Sequence, residues 1–245
     1  MILREDVADV DTPSGPMRTY LFRPSAAGRY PGVVFFSEIF QVTPPIRRMA
    51  AMLAGAGYIV AVPEVYHELE PLGAVLRYDD AGKERGNADK YAKPVAAYDA
   101  DARAALDYLK ALPQCSGSLG VMGVCLGGHL AFRACMHADV LAAACFYATD
   151  IHTGTLGKEQ RDGSLERAGE IRGELLMVWG RQDPHIPLEG RRRIYEALTA
   201  AGVTFTWHEF NAAHAFMRDE GERYDPACAR LGYALIFDLF GRRLR

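Results

Sequence analysis

Hydrophobic residues are clustered along this chain in a way that already suggests layers. Six short apolar runs, "PGVVFFS", "GYIVAVP", "GSLGVMGV", "VLAAACFY", "ELLMVWG" and "VTFTWHEF", are each bounded by glycine, proline or polar residues. Their apolar character is continuous, not alternating, which suits strands covered on both faces in a parallel sheet. Two earlier stretches differ. "MILREDVADV" and "MRTYLFRP" interleave polar with apolar positions and flank Thr12-Pro13-Ser14-Gly15, as an antiparallel hairpin at a sheet edge does.

Helical spacing fills the gaps. In "AAYDADARAALDYLKALP", Ala102, Leu106, Leu109 and Leu112 recur every three or four residues and form an apolar stripe. "PLEGRRRIYEALTAAG" and "DPACARLGYALIFDLFGRRL" behave alike, and the last opens with Asp225-Pro226, an N-cap followed by proline at the first helical position. Strand and helix alternate to the end. The pattern predicts one α/β domain over residues 1–245, with a mostly parallel, doubly wound central sheet, an N-terminal antiparallel hairpin and helices on both faces. Residues 64–91 and 150–165 follow neither period and are candidate lids or pocket walls.

Composition narrows the function classes. Of 245 residues, 49% are hydrophobic and 24% charged, and the net charge of −3 gives no pull toward nucleic acid or an anionic membrane. No apolar run approaches the roughly 18 residues of a membrane span. The N-terminus turns acidic within five residues, which argues against a signal peptide. Cys115, Cys125, Cys135, Cys145 and Cys228 are odd in number and make no CxxC pair, so they read as reduced thiols of a cytoplasmic protein. The seven histidines show no metal-ligand spacing, and neither metal nor other cofactor is expected.

One cysteine stands apart. "VMGVCLGGH" places Cys125 between Gly123 and Gly127, where a strand runs into a helix. A sharp strand-to-helix turn strains the central residue and leaves no room for side chains beside it, so the glycines have a mechanical reason. The sulfur then stands at a helix N-terminus, whose partial positive charge favours a thiolate and a developing oxyanion. This is the nucleophile elbow of the α/β-hydrolase fold with cysteine in place of serine. The N–H of Leu126, first in the helix, points at the same place. A triad on this fold follows the order nucleophile, acid, histidine. "RQDPHIP" puts Asp183 just past one strand and "NAAHAF" puts His214 just past the next, on loops where such a sheet gathers its site. Taken singly, Asp183 could be a helix N-cap and His214 a structural histidine; the order and the loops together favour a triad.

With "SEIFQV" after one strand and "VPEVY" after another, the chain resembles the dienelactone hydrolase (carboxymethylenebutenolidase-like) family of α/β-hydrolases over nearly its whole length. Those stretches resemble the family's Q-E-I-F-G and P-D-L-Y motifs. The resemblance implies an α/β-hydrolase that cleaves a lactone or other carboxylic ester through a thioester. In it Cys125 is the nucleophile, His214 the base and Asp183 the orienting acid. Glu38 matches an acid that hydrogen-bonds the resting thiol, Ile39 and Leu126 the oxyanion hole, and Tyr66 a substrate-binding tyrosine. Arg218 matches one of two arginines that clamp a small anionic substrate. Where the family has the other, this sequence has Glu68; Arg77 and Arg85 are candidate substitutes that also read as ordinary surface charges. A general carboxylesterase or thioesterase of the same fold is the alternative, and a non-catalytic small-molecule binding module a further one. A glutamine amidotransferase shares the cysteine elbow but needs a His-x-Glu unit, and none occurs here.

Overall fold

A computed structural model describes residues 1–245. The first strand, β1 (Leu3–Thr12), returns through Pro13-Ser14 as β2 (Gly15–Pro24), with Thr12 paired to Gly15. Gly15 adopts φ +119°, a conformation that suits glycine, and Thr12 Oγ1 closes the turn by donating to the Gly15 carbonyl at 2.7 Å. Strand β1 lies at the sheet edge, where Arg4, Glu5, Asp6 and Asp9 discourage further pairing.

Six strands follow: β3 (Tyr30–Phe36), β4 (Ile59–Pro63), β5 (Cys115–Val124), β6 (Val140–Phe146), β7 (Glu174–Gly180) and β8 (Phe205–Phe210). All eight join one sheet in the order β1-β2-β4-β3-β5-β6-β7-β8, parallel from β4 to β8. The continuous apolar runs predicted this burial: every residue of β4 and β7 is buried. The helices are α1 (Pro44–Gly55), α2 (Asp80–Ala92), α3 (Val95–Ala111), α4 (Leu126–Ala134), α5 (Leu188–Ala200) and α6 (Pro226–Arg243). Helices α3 and α6 cover opposite faces. The α-carbon of Gly32 on β3 looks toward Leu109 of α3, while that of Gly120 on β5 looks toward Phe240 and Leu244 at the end of α6. Asp225 caps α6 by accepting from the N–H groups of Ala227 and Cys228. No helix is long and apolar enough to cross a membrane.

Strand order decides where a site can form. The chain leaves β3 for β4 on one side, then returns to place β5 on the other. A crevice opens where the direction of winding changes, outside the carboxyl ends of β3 and β5. "SEIF" follows β3, and Cys125 follows β5.

Candidate active site

Cys125 has φ +58° and ψ −122°, a backbone conformation that costs any side-chain-bearing residue energy and persists only where its surroundings enforce it. The neighbours permit it by lacking side chains. A methyl group on Gly123 would lie 1.8 Å from the Gly127 carbonyl oxygen, and one on Gly127 would lie 2.0 Å from that of Phe36. The Cys125 N–H donates to the Phe146 carbonyl at 3.1 Å, which ties the turn to β6. The sulfur-bearing residue is buried but borders a cavity at the N-terminus of α4.

The loops after β7 and β8 bring Asp183 and His214 together beside that cavity. Asp183 Oδ2 and His214 Nδ1 are 2.6 Å apart, and Asp183 Oδ1 accepts from the His185 N–H at 2.8 Å. Asp183 caps no helix; its carboxylate is fixed at both oxygens. Because a carboxylate accepts, His214 donates from Nδ1, leaving Nε2 to act on a proton. Burial lowers the affinity of His214 for a proton, but Cys125 and Asp183 beside it, by charge and by hydrogen bonds, outweigh it, pushing the imidazole up to about 10. The ring also packs edge-on against Tyr147 at 5.1 Å and His185 at 4.8 Å.

Two peptide groups in this crevice are held from behind. The Glu38 carbonyl accepts from the Gln41 N–H at 3.1 Å and the Ser37 hydroxyl at 3.3 Å. The Cys125 carbonyl accepts from the N–H groups of Gly128 at 3.1 Å and Thr149 at 3.2 Å. In a trans peptide the N–H points opposite the carbonyl. The N–H groups of Ile39 and Leu126 are therefore fixed by bonds made on the far side of their own peptides; Ile39 borders the cavity with Cys125, and Leu126 follows Cys125 as the first residue of α4. Two preset donors near a nucleophile can stabilise an oxyanion at no cost of reorganisation.

Glu38 is 1% exposed, and neither carboxylate oxygen has a hydrogen-bond partner, the thiol included. Its Oε2 faces Arg218 Nη1 at 3.7 Å. Burial raises the Glu38 pKa, and the charges of Arg218 and His214 only partly oppose this. Arg218 is held in turn: its guanidinium lies 4.2 Å from the Tyr78 ring centroid and its Nε donates to the Glu220 carbonyl at 3.1 Å. Tyr78 is braced by a 2.6 Å hydrogen bond to Thr43.

The cavity measures about 990 Å³ and is bordered by Glu38, Ile39, Cys125, His214 and Arg218. Tyr66, Arg77 and Arg85 do not border it. Tyr66 is fully buried, with its hydroxyl donating to the Gly86 carbonyl at 3.0 Å. Arg77 pairs with Asp79 on the surface, and Arg85 pairs with Glu70 and Asp89. Glu68 is also turned away, into a buried cluster with Lys93, Asp101 and His67. The ligand atoms of His67, Glu68 and Asp101 lie close enough to hold a metal ion, but the Lys93 ammonium bonds both carboxylates and supplies the positive charge there. No cation site is needed.

What sequence reading missed is α2. Its polar residues carry no apolar stripe, and it packs through glycine: a methyl on Gly86 would lie 2.4 Å from the Ile39 carbonyl oxygen. The helix brings Lys83, Asn87 and Lys90 to the cavity, where Lys90 meets Asp150. Its one sequence signal is Asp79, an N-cap whose Oδ1 accepts from the Gly82 N–H at 2.9 Å.

The comparisons with known proteins agree with this geometry. The dienelactone hydrolase family model matches residues 17–244. A Saccharomyces cerevisiae protein named, provisionally, as a carboxymethylenebutenolidase is 42% identical, the match covering 100% of this chain and 94% of the yeast protein. A carboxymethylenebutenolidase of Pseudomonas sp. strain P51 is 29% identical, with 89% of this chain and 87% of that one covered. Among solved structures, one from Klebsiella pneumoniae, provisionally called a dienelactone hydrolase, superimposes with a TM-score of 0.84 at 23% identity and covers 99% of this chain and 100% of its own. From its elbow to its sheet order and its match across residues 17–244, the chain belongs to the dienelactone hydrolase family.

Proposed function

We propose that this protein hydrolyses a lactone or other carboxylic ester through a covalent thioester on Cys125. His214 Nε2 takes the thiol proton, and the sulfur attacks the acyl carbon. The carbonyl oxygen becomes an oxyanion between the N–H groups of Ile39 and Leu126. On collapse the C–O bond breaks, and the leaving alkoxide takes the proton from His214; in a lactone it remains attached to the acyl group. His214 then deprotonates a water that attacks the thioester, releasing the acid and returning the proton to Cys125. Asp183 holds the imidazole in the required tautomer throughout. The observation that carries this reading is the 2.6 Å Asp183–His214 contact beside the cavity that Cys125 borders.

Arg218 serves an anionic group on the substrate by charge-assisted hydrogen bonds, displacing its loose contact with Glu38. Glu38 makes no hydrogen bond to the thiol, so its part in a gate is electrostatic: its buried charge, offset by Arg218, disfavours a thiolate at Cys125 until a ligand engages Arg218. The names borne by relatives support a butenolide as one substrate of the class. Five free cysteines fit a reducing, cytoplasmic setting. The test is turnover of lactones, aryl esters and thioesters by purified protein. Cys125→Ala should lower kcat by about four to six orders of magnitude, as loss of a triad nucleophile does, while Cys228→Ala should stay near wild type. A Cys125→Ala rate within tenfold of wild type would end the proposal, and a binding module would show no Cys125-dependent turnover at all.

A further inference from the structure

The cavity is lined unlike one for an alkyl or aryl ester. Only six of its 21 lining residues are hydrophobic, whereas small-molecule pockets are mostly apolar. At about 990 Å³ it is also at the upper end of the size range for such pockets. Much of its polarity lies along one wall. Lys90 of α2 reaches across to Asp150 in the loop after β6, with Nζ and Oδ2 2.9 Å apart. The two side chains are only 7% and 16% exposed, yet both border the cavity. Asn87, three residues before Lys90 on the same helix face, borders it too. The wall adjoins the reaction centre, because Thr149, next to Asp150, donates its N–H to the Cys125 carbonyl. Asp150 is held at φ +65°, a strained value for a residue with a side chain.

The pair's chemistry selects its ligand. A carboxylate approaching Lys90 would meet the Asp150 charge already on the same ammonium, so an anion is disfavoured there. An alkyl chain would strip water from both charged groups and offer nothing in return. A hydroxyl both donates and accepts, so it can donate a hydrogen bond to the Asp150 carboxylate while accepting one from Lys90 or the Asn87 amide. Resting on the ester-hydrolase reading above, we infer that Lys90, Asp150 and Asn87 form a hydroxyl-recognising wall, and that the ester or lactone taken by this site carries hydroxyl groups away from its reacting carbonyl.

Two six-membered lactones test this: glucono-δ-lactone, which is hydroxylated, and δ-valerolactone, which is not. After subtraction of spontaneous hydrolysis, wild-type kcat/KM should favour the hydroxylated ring by about tenfold or more, the worth of one hydrogen bond of about 1.4 kcal/mol. Lys90→Met should bring that ratio close to one. Since Lys90→Met leaves Asp150 uncompensated, the double variant Lys90→Met with Asp150→Asn removes both charges and should show the same loss in a folded protein. A wild-type ratio of one or less, or variants that slow both lactones equally, overturns the inference. So does a Lys90→Met loss that is largest for a carboxylate-bearing lactone, which would make the wall an anion site. Cys125-dependent hydrolysis of p-nitrophenyl acetate in the same preparations reads the triad separately. Saturation-transfer NMR with 1,5-anhydrosorbitol, the hydroxylated ring without its carbonyl, reads the wall without catalysis: signal is expected in Cys125→Ala and lost once Lys90→Met is added. Signal that persists in the second protein counts against the wall.

Discussion

At the residue scale, Glu38 occupies a costly place in the fold. A buried carboxylate with both oxygens unpartnered, 3.7 Å from Arg218, is a poor way to stabilise a protein and a reasonable way to keep a site responsive. Its raised pKa gives that cost a pH dependence. A carboxyl whose folded pKa is raised contributes stability in full below the unfolded value, here 4.5, and loses it as pH rises through the folded value. Wild type should therefore lose stability relative to Glu38→Gln on going from pH 4.5 toward neutral. Thermal melts should show the variant more stable at pH 7 to 8 by a few degrees, on a scale of about 2–4 °C per kcal/mol for a chain this size. The difference should close toward pH 4.5. A variant that melts lower at neutral pH, with no trend across the range, would mean that the Glu38–Arg218 contact is a net structural asset. Glu38 was legible in the sequence as an acid directly after an apolar strand. Its partner in the structure, Arg218, was legible only as a substrate contact, because nothing in chain spacing says that the two face each other.

Elements differ in how openly the sequence announces them, and the difference follows how each is buried. Strands β3 to β7 are written as apolar runs because both of their faces are largely covered, and α3 as a stripe because one of its faces is. Strand β8, read from the same kind of run, is instead the edge strand and buries none of its residues fully. Helix α2 buries Gly82 and Gly86 instead of leucines, so no period of hydrophobic residues betrays it. Helix α2 nevertheless forms a wall of the cavity and packs through Gly86 against Ile39, whose N–H is the proposed oxyanion donor. Gly86→Ala should push the Ile39 carbonyl, 2.4 Å from the new methyl, and with it the turn that holds the Ile39 N–H. We expect kcat to fall by about tenfold to a thousandfold, the range for a disturbed oxyanion donor, with KM for a neutral ester nearly unchanged. Steady-state kinetics on an aryl ester checks this. Full activity in a folded Gly86→Ala protein would show that α2 yields without moving the oxyanion loop.

For the molecule as a whole, the sheet order explains why residues spread from 38 to 218 meet at one place. The reversal between β4, β3 and β5 opens the crevice, and the loops after β6, β7 and β8 close round it. Cys125, Asp183 and His214 could be read from the sequence because each sits just past a recognisable strand, and strand ends in this fold share one edge. Tyr66 also sits just past a strand, but its side chain turns into the core, where the hydroxyl donates to the Gly86 carbonyl. Arg77 and Arg85 lie beyond any strand end and pair with surface or neighbouring carboxylates. Lys90 and Asp150 lie 60 positions apart and meet only across the cavity. The proposed chemistry requires above all that Cys125 carry the acyl group. Rapid acid quench during turnover of p-nitrophenyl acetate, followed by intact-mass and peptide mass spectrometry, measures this directly. We predict one acetyl group per chain on the peptide containing Cys125, labile to hydroxylamine at neutral pH and absent from Cys125→Ala. Turnover without that adduct at any quench time, or an adduct on another residue that Cys125→Ala leaves intact, would contradict it.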